Sequence, residues 1–435
     1  MSKLSKLVND PELFIKDLVK NRLYDVLHII DVTPKVPSKP APKPAPKPTL
    51  VSSPTSFNIS YINPYRSVPM IIHSGESLEA GSNQILPWIP IFSKASKDFL
   101  LLVRNEPFFK WIRTTFPWIS VALAKSAAEV EQVIKMLPEA KYVFYPSSTG
   151  NNIHLIRFNH LNHIFIGHGD SDKQSSAHKA LRLYDEVWTA GQAHIDRFKN
   201  SNFETGHIKF LKVGRPSLTK ILKNSQANST FGLFSKILYL PTWEGVIEET
   251  NYSSTHLSGM IIREVTRKFH FSIATKYHPF TGNRNKLLKN INALTESMII
   301  QDNLNASIIS RNTDVSEVIA NYSIFICDIS GVVTECLAAN CPIFVYIPLD
   351  RSIQIARSDM TYEDYCYTYS SLAELLEKIE NVLMGDDYLS ENRKKAIDYF
   401  IGYDETLNEK FIKQLTSISN HQEHLEYTSR LFDEL

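Results

Sequence analysis

The stretch FICDISGVVTECLAANCPIFVY, residues 325–346, carries the pattern that decides the fold. One apolar run ends at Asp328, and a second one follows after a helical segment. The helical segment opens at Ser330 and Gly331 and extends to about Ala339. Two short buried strands that are joined by a helix are usually parallel neighbours, because the helix carries the chain back to the same end of the sheet. The stretch therefore predicts a parallel α/β sheet.

The same alternation extends over most of the chain. From about residue 58, helical stretches such as SAAEVEQVIKML and AHKALRLY separate the apolar runs VPMIIH, DFLLLV, WISVALA, KYVFYP, HIFIGHG, DEVWTAG and IKFLKVG. After about residue 225 the pattern restarts with KILYLPTW, FSIATKYHP, SMIIQD, SIFICDIS and PIFVYIP, and the chain from about residue 370 reads as helical. Two successive α/β units predict two Rossmann-like domains that face a cleft, over residues 57–225 and 226–435.

The N-terminal segment has a different character. Residues 1–32 contain an amphipathic helical pattern, with Asp10 as its cap and Pro11 at its first position. Residues 33–56 are rich in proline and lysine, which predicts an extended linker. The pattern leaves open whether the helix docks on a partner, on a membrane surface or on its own protein.

Composition excludes several classes of function. The net charge of the 435 residues is +1, which gives no argument for a nucleic-acid partner. The four cysteines, Cys327, Cys336, Cys341 and Cys366, lack the paired spacing of a zinc site, so we expect reduced thiols and no bound metal. No signal-peptide pattern and no apolar run long enough to span a membrane is visible. We therefore expect a cytoplasmic protein whose membrane contact, if it has one, is peripheral.

The first candidate for chemistry is IFIGHGDSDK, residues 164–173, where a buried run ends between two glycines. Ligands of open α/β sheets bind beyond the carboxyl ends of the strands, so His168 is expected to face the cleft. Its ordinary pKa of about 6.5 suits a general base. Gly169 lets a ligand approach closely, Asp170 or Asp172 could orient the ring, and Lys173 could hold a phosphate. The alternative is a turn that contains an incidental histidine.

Other strand ends carry donors for an anionic ligand. Thr242 and Trp243 follow Pro241, and Lys276 and His278 precede Pro279. Asp328 ends the strand of the opening stretch, Ser330 and Gly331 form an anion-binding helix start, and Glu335 is placed to reach a sugar hydroxyl. Arg215, at the predicted domain junction, is a candidate phosphate clamp or a structural hinge residue. A histidine in the first half and phosphate donors in the second favour a transferase with an activated donor in the C-terminal domain.

The order of these motifs resembles the CDP-glycerol glycerophosphotransferases of teichoic-acid and capsule synthesis. The resemblance covers about residues 160–345. Its motifs here are His168-Gly169 with Lys173, Gly214-Arg215-Pro216, Pro241-Thr242-Trp243, His278-Pro279 and Asp328-Ile329-Ser330-Gly331. Two departures stand out, because HGDSDK replaces the usual HGTPLK and Gly331 replaces the second serine of the helix start.

The resemblance implies a GT-B fold and a reaction at phosphorus. Glycerol phosphate would pass from CDP-glycerol to a hydroxyl of a glycan acceptor, with release of CMP. His168 and His278 would be the catalytic residues, and the donor would be bound by Thr242, Trp243, Lys276, Ser330, Gly331, Glu335 and Arg215. Gly169, Asp170, Lys173 and Asp328 would support the site. No cofactor is expected to be required, although Mg²⁺ is a compatible companion of the diphosphate.

The resemblance also suggests a cellular setting. We expect a glycan acceptor, free or lipid-linked, assembly enzymes of the capsule or wall polymer as partners, and work at the inner face of the cytoplasmic membrane. A single catalytic unit favours the addition of one or a few glycerol phosphates as a primer. Two alternatives are a GT-B glycosyltransferase that uses a nucleotide sugar, and a non-catalytic assembly protein.

Overall fold

Two parallel sheets form the framework of the molecule. The computed structural model describes residues 59–60, 67–95, 98–227, 236–402 and 409–418, which all belong to one unit of residues 57–435. The predicted N-terminal helix (residues 1–32) and linker (residues 33–56) lie outside the described residues.

The first sheet has the order β1-β4-β3-β2-β5-β6-β7-β8. Its strands are parallel except for β1, which pairs antiparallel with β4. They are β1 (Ile59–Ser60), β2 (Met70–Ser74), β3 (Phe99–Val103), β4 (Ser120–Leu123), β5 (Tyr142–Tyr145), β6 (Asn162–Phe165), β7 (Glu186–Thr189) and β8 (Lys209–Lys212). The strand order reverses between β2 and β5, which marks the ligand-binding edge of such a sheet.

The second sheet has the order β11-β10-β9-β12-β13-β14, and all its pairs are parallel. Its strands are β9 (Lys236–Leu240), β10 (Ser272–Thr275), β11 (Ala306–Ile308), β12 (Ile324–Asp328), β13 (Ile343–Tyr346) and β14 (Tyr367–Tyr369). This is the strand order of a Rossmann sheet, with its reversal between β9 and β12. The stretch of residues 325–346 thus supplies β12 and β13, in the parallel arrangement that its pattern predicts.

Helices pack on both faces of the sheets. They are α1 (Leu78–Ile85), α2 (Ile89–Ala95), α3 (Glu106–Thr115), α4 (Ala127–Lys135), α5 (Ile153–Ile156), α6 (Gln192–Lys199), α7 (Thr219–Ala227), α8 (Ser258–Phe269), α9 (Ile291–Gln301), α10 (Val315–Ile319), α11 (Val332–Leu337), α12 (Tyr362–Tyr365), α13 (Leu372–Leu383), α14 (Ser390–Ile401) and α15 (409–418). Alternate residues of a strand enter opposite cores, so that Ile72 and Ile71 of β2 belong to different clusters.

Two local predictions are wrong. SMIIQD forms the end of α9 rather than a strand, and the strand follows at β11. A short apolar run does not distinguish a buried strand from a helix, and here the helix is selected by the residues before it. AHKALRLY contributes to two 3₁₀ turns, Gln174–Ala177 and Lys179–Leu183, instead of an α-helix.

The chain returns to the first sheet near its end. Phe411 of α15 packs against Trp88, with 4.9 Å between the ring centroids, and against Trp188, at 5.3 Å. Leu415 is fully buried in the same cluster. Residues 409–418, which the sequence assigns to the second domain, therefore contribute to the core beside the first sheet. The domain boundaries predicted from the sequence stay a prediction.

Candidate active site

His168 lies just beyond β6 and is held by the backbone of the neighbouring strand. Its Nδ1 is 2.9 Å from the carbonyl oxygen of Pro146, which follows β5. A carbonyl oxygen can only accept, so Nδ1 carries the proton of the neutral ring and Nε2 presents a lone pair. Gly167 takes a left-handed φ of 61°, and its carbonyl accepts from Trp88 Nε1 at 2.8 Å. The ring is thus oriented as a proton acceptor.

The surroundings of His168 keep the ring neutral. The residue is exposed, yet desolvation by the protein around the ring lowers the pKa of His168. The nearby charge of Arg215 lowers it further, whereas the hydrogen bond to Pro146 raises it. A neutral imidazole at physiological pH is the form that a general base requires.

Asp170 and Asp172 do not orient the His168 ring, so that expectation is wrong. Both carboxylates bind Arg197 of α6, Asp170 through Nη1 and Asp172 through Nε at 2.6 Å. All three side chains are at least nine-tenths buried. Burial opposes the charge of Arg197, but the two carboxylates raise its pKa above the ordinary value. The acidic residues of HGDSDK therefore form a buried ion-pair cluster.

Lys173 follows β6 of the first sheet and contacts residues that follow β9 of the second sheet. Its Nζ lies 3.2 Å from Thr242 Oγ1, beyond β9, and 5.4 Å from the centroid of the Tyr252 ring. Desolvation lowers the pKa of Lys173 to about 8, although Asp328 acts in the opposite direction. A lysine with this pKa carries a proton through most of the physiological range and can accompany an anionic ligand.

Asp328 binds the backbone of the loops that follow β9. Its Oδ2 accepts the backbone N–H groups of Thr242, at 2.7 Å, and Ser254, at 3.0 Å. It is fully buried, and burial raises the pKa of Asp328 to about 6. These bonds tie the loops after β9 to the end of β12, at the reversal of strand order where ligands of Rossmann sheets bind.

The helix start after β12 differs in detail from the sequence expectation. Helix α11 begins at Val332 and ends at Leu337, short of Ala339. The Ser330 hydroxyl donates to the Asp328 carbonyl at 3.2 Å and makes no capping bond. A Cβ on Gly331 would lie 3.4 Å from the carbonyl oxygen of Asp170, so this turn approaches the first half closely.

His278 is held in the tautomer opposite to that of His168. The backbone N–H of Phe280 donates to its Nδ1 at 3.1 Å, so the neutral ring carries its proton on Nε2. Desolvation, followed by the charges of Lys173, Lys276 and Arg311, lowers the pKa of His278 to about 3. The ring lies nearly parallel to Trp243, at 6.2 Å and 20°. It is a neutral donor at every physiological pH.

Lys276, Arg215 and Glu335 complete the set of charged groups. Arg215 Nη2 lies 3.1 Å from Glu335 Oε1 and donates to the His168 carbonyl at 3.0 Å, which joins the two halves. Lys276 Nζ donates to the Arg311 carbonyl at 3.0 Å, and desolvation lowers the pKa of Lys276. Gly169 is exposed, and a Cβ there would lie 3.6 Å from Arg215 Nη2.

The site lies within the part of the chain that matches a known protein family. The model of the CDP-glycerol:poly(glycerophosphate) glycerophosphotransferases matches residues 133–415, more than half of the chain. The chain belongs to this family. The match includes His168, His278 and every donor-binding candidate named above. No curated protein matches the chain significantly in sequence.

Solved structures with the same fold support the predicted GT-B architecture. The wall teichoic acid polymerase TagF matches with a TM-score of 0.51 and 14% identity, over 81% of this chain and 90% of that one. HepE from Anabaena, in complex with UDP-glucose, matches with a TM-score of 0.50 and 12% identity, over 80% of this chain and 99% of that one. The predicted GT-B-like α/β fold of this glycerophosphotransferase family member is confirmed for the residues that the structure describes.

Two absences concern the described residues only. No helix among them is long and apolar enough to cross a membrane. They hold no group of three or more His, Cys, Asp or Glu side chains arranged for a metal ion.

The sequence of this family member does not reveal the roles of Arg311 and Arg197. Arg311 Nη1 donates to the Thr281 carbonyl at 2.8 Å, and its charge acts on His278. Arg311 follows β11, but the apolar pattern of SMIIQD predicts a strand earlier in the chain and does not reveal this strand end. Arg197 lies within a helix and pairs with residues far along the chain, so no local pattern identifies it.

Proposed function

We propose that this chain transfers glycerol phosphate from CDP-glycerol to a hydroxyl of a glycan acceptor in capsule or teichoic-acid synthesis and releases CMP. Family membership supports the reaction class. The observation that carries the mechanism is the pair of opposite imidazole tautomers, with an acceptor nitrogen on His168 and a donor nitrogen on His278.

The reaction assigns one task to each histidine. His168 Nε2 takes the proton of the acceptor hydroxyl as that oxygen attacks the phosphorus that bears glycerol. The bond between this phosphorus and the bridging oxygen breaks, and CMP leaves with the electron pair. His278 Nε2–H donates to a diphosphate oxygen, and its neutral ring costs no proton at the start of the reaction.

Cationic and hydroxyl groups would hold the donor. Lys276, Lys173 and Arg215 lie near the two histidines and offset the charge of the diphosphate, while Ser330 and Gly331 approach it from the helix start. Trp243 and Thr242 would border the cytidine or phosphate site, and Glu335 would reach a hydroxyl of the glycerol. Thr242 and Ser330 are held at the β9–β12 reversal by Asp328, which gives this side of the cleft a fixed shape.

The primary test is CMP release from CDP-glycerol with a glycan primer. We expect acceptor-dependent CMP from the wild type and a loss of roughly 10²-fold or more for His168→Ala. His160→Ala is the matched control, because His160 is an exposed histidine outside the cleft. Release of UDP from UDP-glucose instead of CMP would make the chain a nucleotide-sugar glycosyltransferase.

Three finer features belong to the same proposal. The product is one or a few glycerol phosphate units on the primer, which a product-length ladder from excess donor measures. The hydrogen-bond donors of the protein suffice without a cofactor, so the turnover rate should be unchanged in EDTA. A loss of turnover that Mg²⁺ restores would show that the reaction needs a metal ion.

The third feature is the cellular setting of the reaction. The acceptor is lipid-linked, and the enzyme works with capsule or wall-polymer assembly enzymes at the inner membrane face. Deletion of residues 1–56 should keep turnover on a soluble acceptor and reduce it on an acceptor in vesicles. A deletion that leaves both rates unchanged removes the membrane role of this segment, and an inactive full-length chain favours the non-catalytic assembly protein.

A further inference from the structure

Trp88 lies just before α2, and both its backbone and its ring are held in place. Its N–H donates to the Ile85 carbonyl at 3.0 Å, and its carbonyl accepts from the Phe92 N–H at 3.0 Å. The indole is buried, and the Phe411 ring packs against it with 4.9 Å between the centroids. The direction of the indole N–H is therefore set by the packing of the first sheet.

This indole N–H binds the turn that carries His168. Trp88 Nε1 donates to the Gly167 carbonyl at 2.8 Å. Gly167 has φ of 61° and no Cβ, so the peptide group between Gly167 and His168 could turn over at little steric cost if nothing bound it. The carbonyl oxygen of Gly167 and the backbone nitrogen of His168 belong to one rigid plane, so a bond to the oxygen fixes the direction in which the chain enters His168.

The His168 ring depends on this direction because the ring is bound at a second point. Its Nδ1 donates to the Pro146 carbonyl at 2.9 Å, and the His168 carbonyl accepts from Arg215 Nη2 at 3.0 Å. If the Gly167–His168 peptide turned over, the ring could not keep the bond to Pro146 and present Nε2 at the same place. The bond from Trp88 is made by an uncharged side chain that no step of the proposed reaction uses.

We propose that Trp88 is a positioning residue of the transfer reaction. Its indole N–H holds the Gly167 carbonyl, and the fixed turn keeps His168 Nε2 where it meets the acceptor hydroxyl. Trp88 acts through His168 and takes no part in the proton transfer itself. The proposal rests on the proposed function for the role of His168 as the base.

The first test variant is Trp88→Phe, which removes the indole N–H and keeps an aromatic ring beside Phe411. We expect kcat for CMP release to fall by at least about 10-fold, because a small misplacement of a catalytic group lowers the rate steeply. The KM for CDP-glycerol should stay at the wild-type value, because the substitution leaves the donor-binding residues that follow β9, β10 and β12 in place.

Trp188→Phe is the matched control. Trp188 packs against the same Phe411 ring, at 5.3 Å, and its Nε1 donates to Glu186 Oε2 at 2.8 Å. The control therefore also loses a buried indole hydrogen bond in this aromatic cluster, but that bond does not reach the turn before His168. We expect a similar loss of Tm in both variants and a loss of kcat in Trp88→Phe alone.

A double-mutant cycle separates positioning from a general loss of structure. In the His168→Ala background no base is left to position, so Trp88→Phe should lower kcat no further. Equal kcat values for Trp88→Phe and Trp188→Phe, or the same fold-loss from Trp88→Phe with and without His168, would overturn the proposal and leave the transferase intact.

A second variant covers the case in which Trp88→Phe does not fold. Phe411→Leu keeps the indole N–H and removes the ring that packs against it. We expect kcat to fall by a smaller factor than in Trp88→Phe, and again only where His168 is present. A wild-type kcat in Phe411→Leu would count against the proposal.

The proposal and the proposed function fail in different ways. A wild type that releases UDP from UDP-glucose instead of CMP would overturn the proposed donor, and the same cycle, measured on UDP release, then decides the role of Trp88. A wild type that releases neither nucleotide would overturn both.

Discussion

The imidazoles of His168 and His278 are fixed by the backbone in opposite senses. Nδ1 of His168 donates to the Pro146 carbonyl, whereas Nδ1 of His278 accepts from the Phe280 N–H. One neutral ring therefore offers a lone pair at Nε2, and the other offers a proton there. Because each sense is set by main-chain atoms, no side-chain substitution elsewhere in the cleft can exchange the two roles.

The pH profile should be bell-shaped. Desolvation and Arg215 lower the pKa of His168, so kcat/KM should rise with pH through a midpoint below the ordinary value of about 6.5, as the base becomes neutral. It should fall again near pH 8, where Lys173, with a pKa of about 8, loses its positive charge. Initial rates between pH 4.5 and 10 measure both limbs. Lys173→Arg should abolish the alkaline limb, and an unchanged limb would assign it to another group.

His278 should act as a hydrogen-bond donor and not as an acid. Since its pKa of about 3 keeps it neutral, an amide N–H can replace it in part. We expect His278→Ala to lower kcat by roughly 10²–10³-fold, the usual effect of removing one charge-stabilising donor. His278→Gln should retain at least ten times the kcat of the alanine variant. Equal kcat values for the two variants would contradict this role.

Gly331→Ser should be tolerated and should improve donor binding. Gly331 has φ near −60°, and an added Cβ meets the Asp170 carbonyl oxygen only at 3.4 Å, an ordinary contact. The substitution restores the second serine of the family pattern, and we expect an unchanged Tm and a lower KM for CDP-glycerol.

Gly245→Ser is the contrasting control for this helix start. Gly245 has φ of 67°, and a Cβ there would lie 2.3 Å from the Thr250 carbonyl oxygen, so this variant should lose stability. A higher KM in Gly331→Ser would show that the open turn itself admits the donor.

Arg197→Met should destabilise the protein strongly. It leaves the carboxylates of Asp170 and Asp172 buried without their partner, which costs about 3–5 kcal/mol of unfolding free energy. Urea denaturation at pH 7 measures the loss. Arg113→Met, at an exposed position, should cost about 1 kcal/mol or less.

A rescue variant checks the electrostatic origin of that loss. Asp170→Asn and Asp172→Asn, combined with Arg197→Met, remove both charges and should recover a large part of the stability. No recovery would attribute the loss to the packing of Arg197 against Phe400 instead.

The strand ends of the site were predictable from the sequence because each is a local pattern. His168 and Asp328 each follow an apolar run, and the parallel sheets bring such ends to one edge. The contacts that the sequence did not predict join residues that lie far apart along the chain. Nothing near Asp170 reveals that its partner is Arg197 on another element, and nothing near Pro146 shows that its carbonyl orients a histidine 22 residues later. Such pairings are decided by tertiary packing.

The contact between Trp88 and Phe411 has a consequence for biosynthesis. The last strand of the first sheet ends at Lys212, yet the aromatic cluster on one of its faces is incomplete until Phe411 arrives. At the usual translation speed of about 5–20 residues per second, that interval lasts about 10–40 s. During this time Trp88 and Trp188 are not yet packed against Phe411. We therefore expect chaperones to bind the nascent chain before Phe411 has been synthesised.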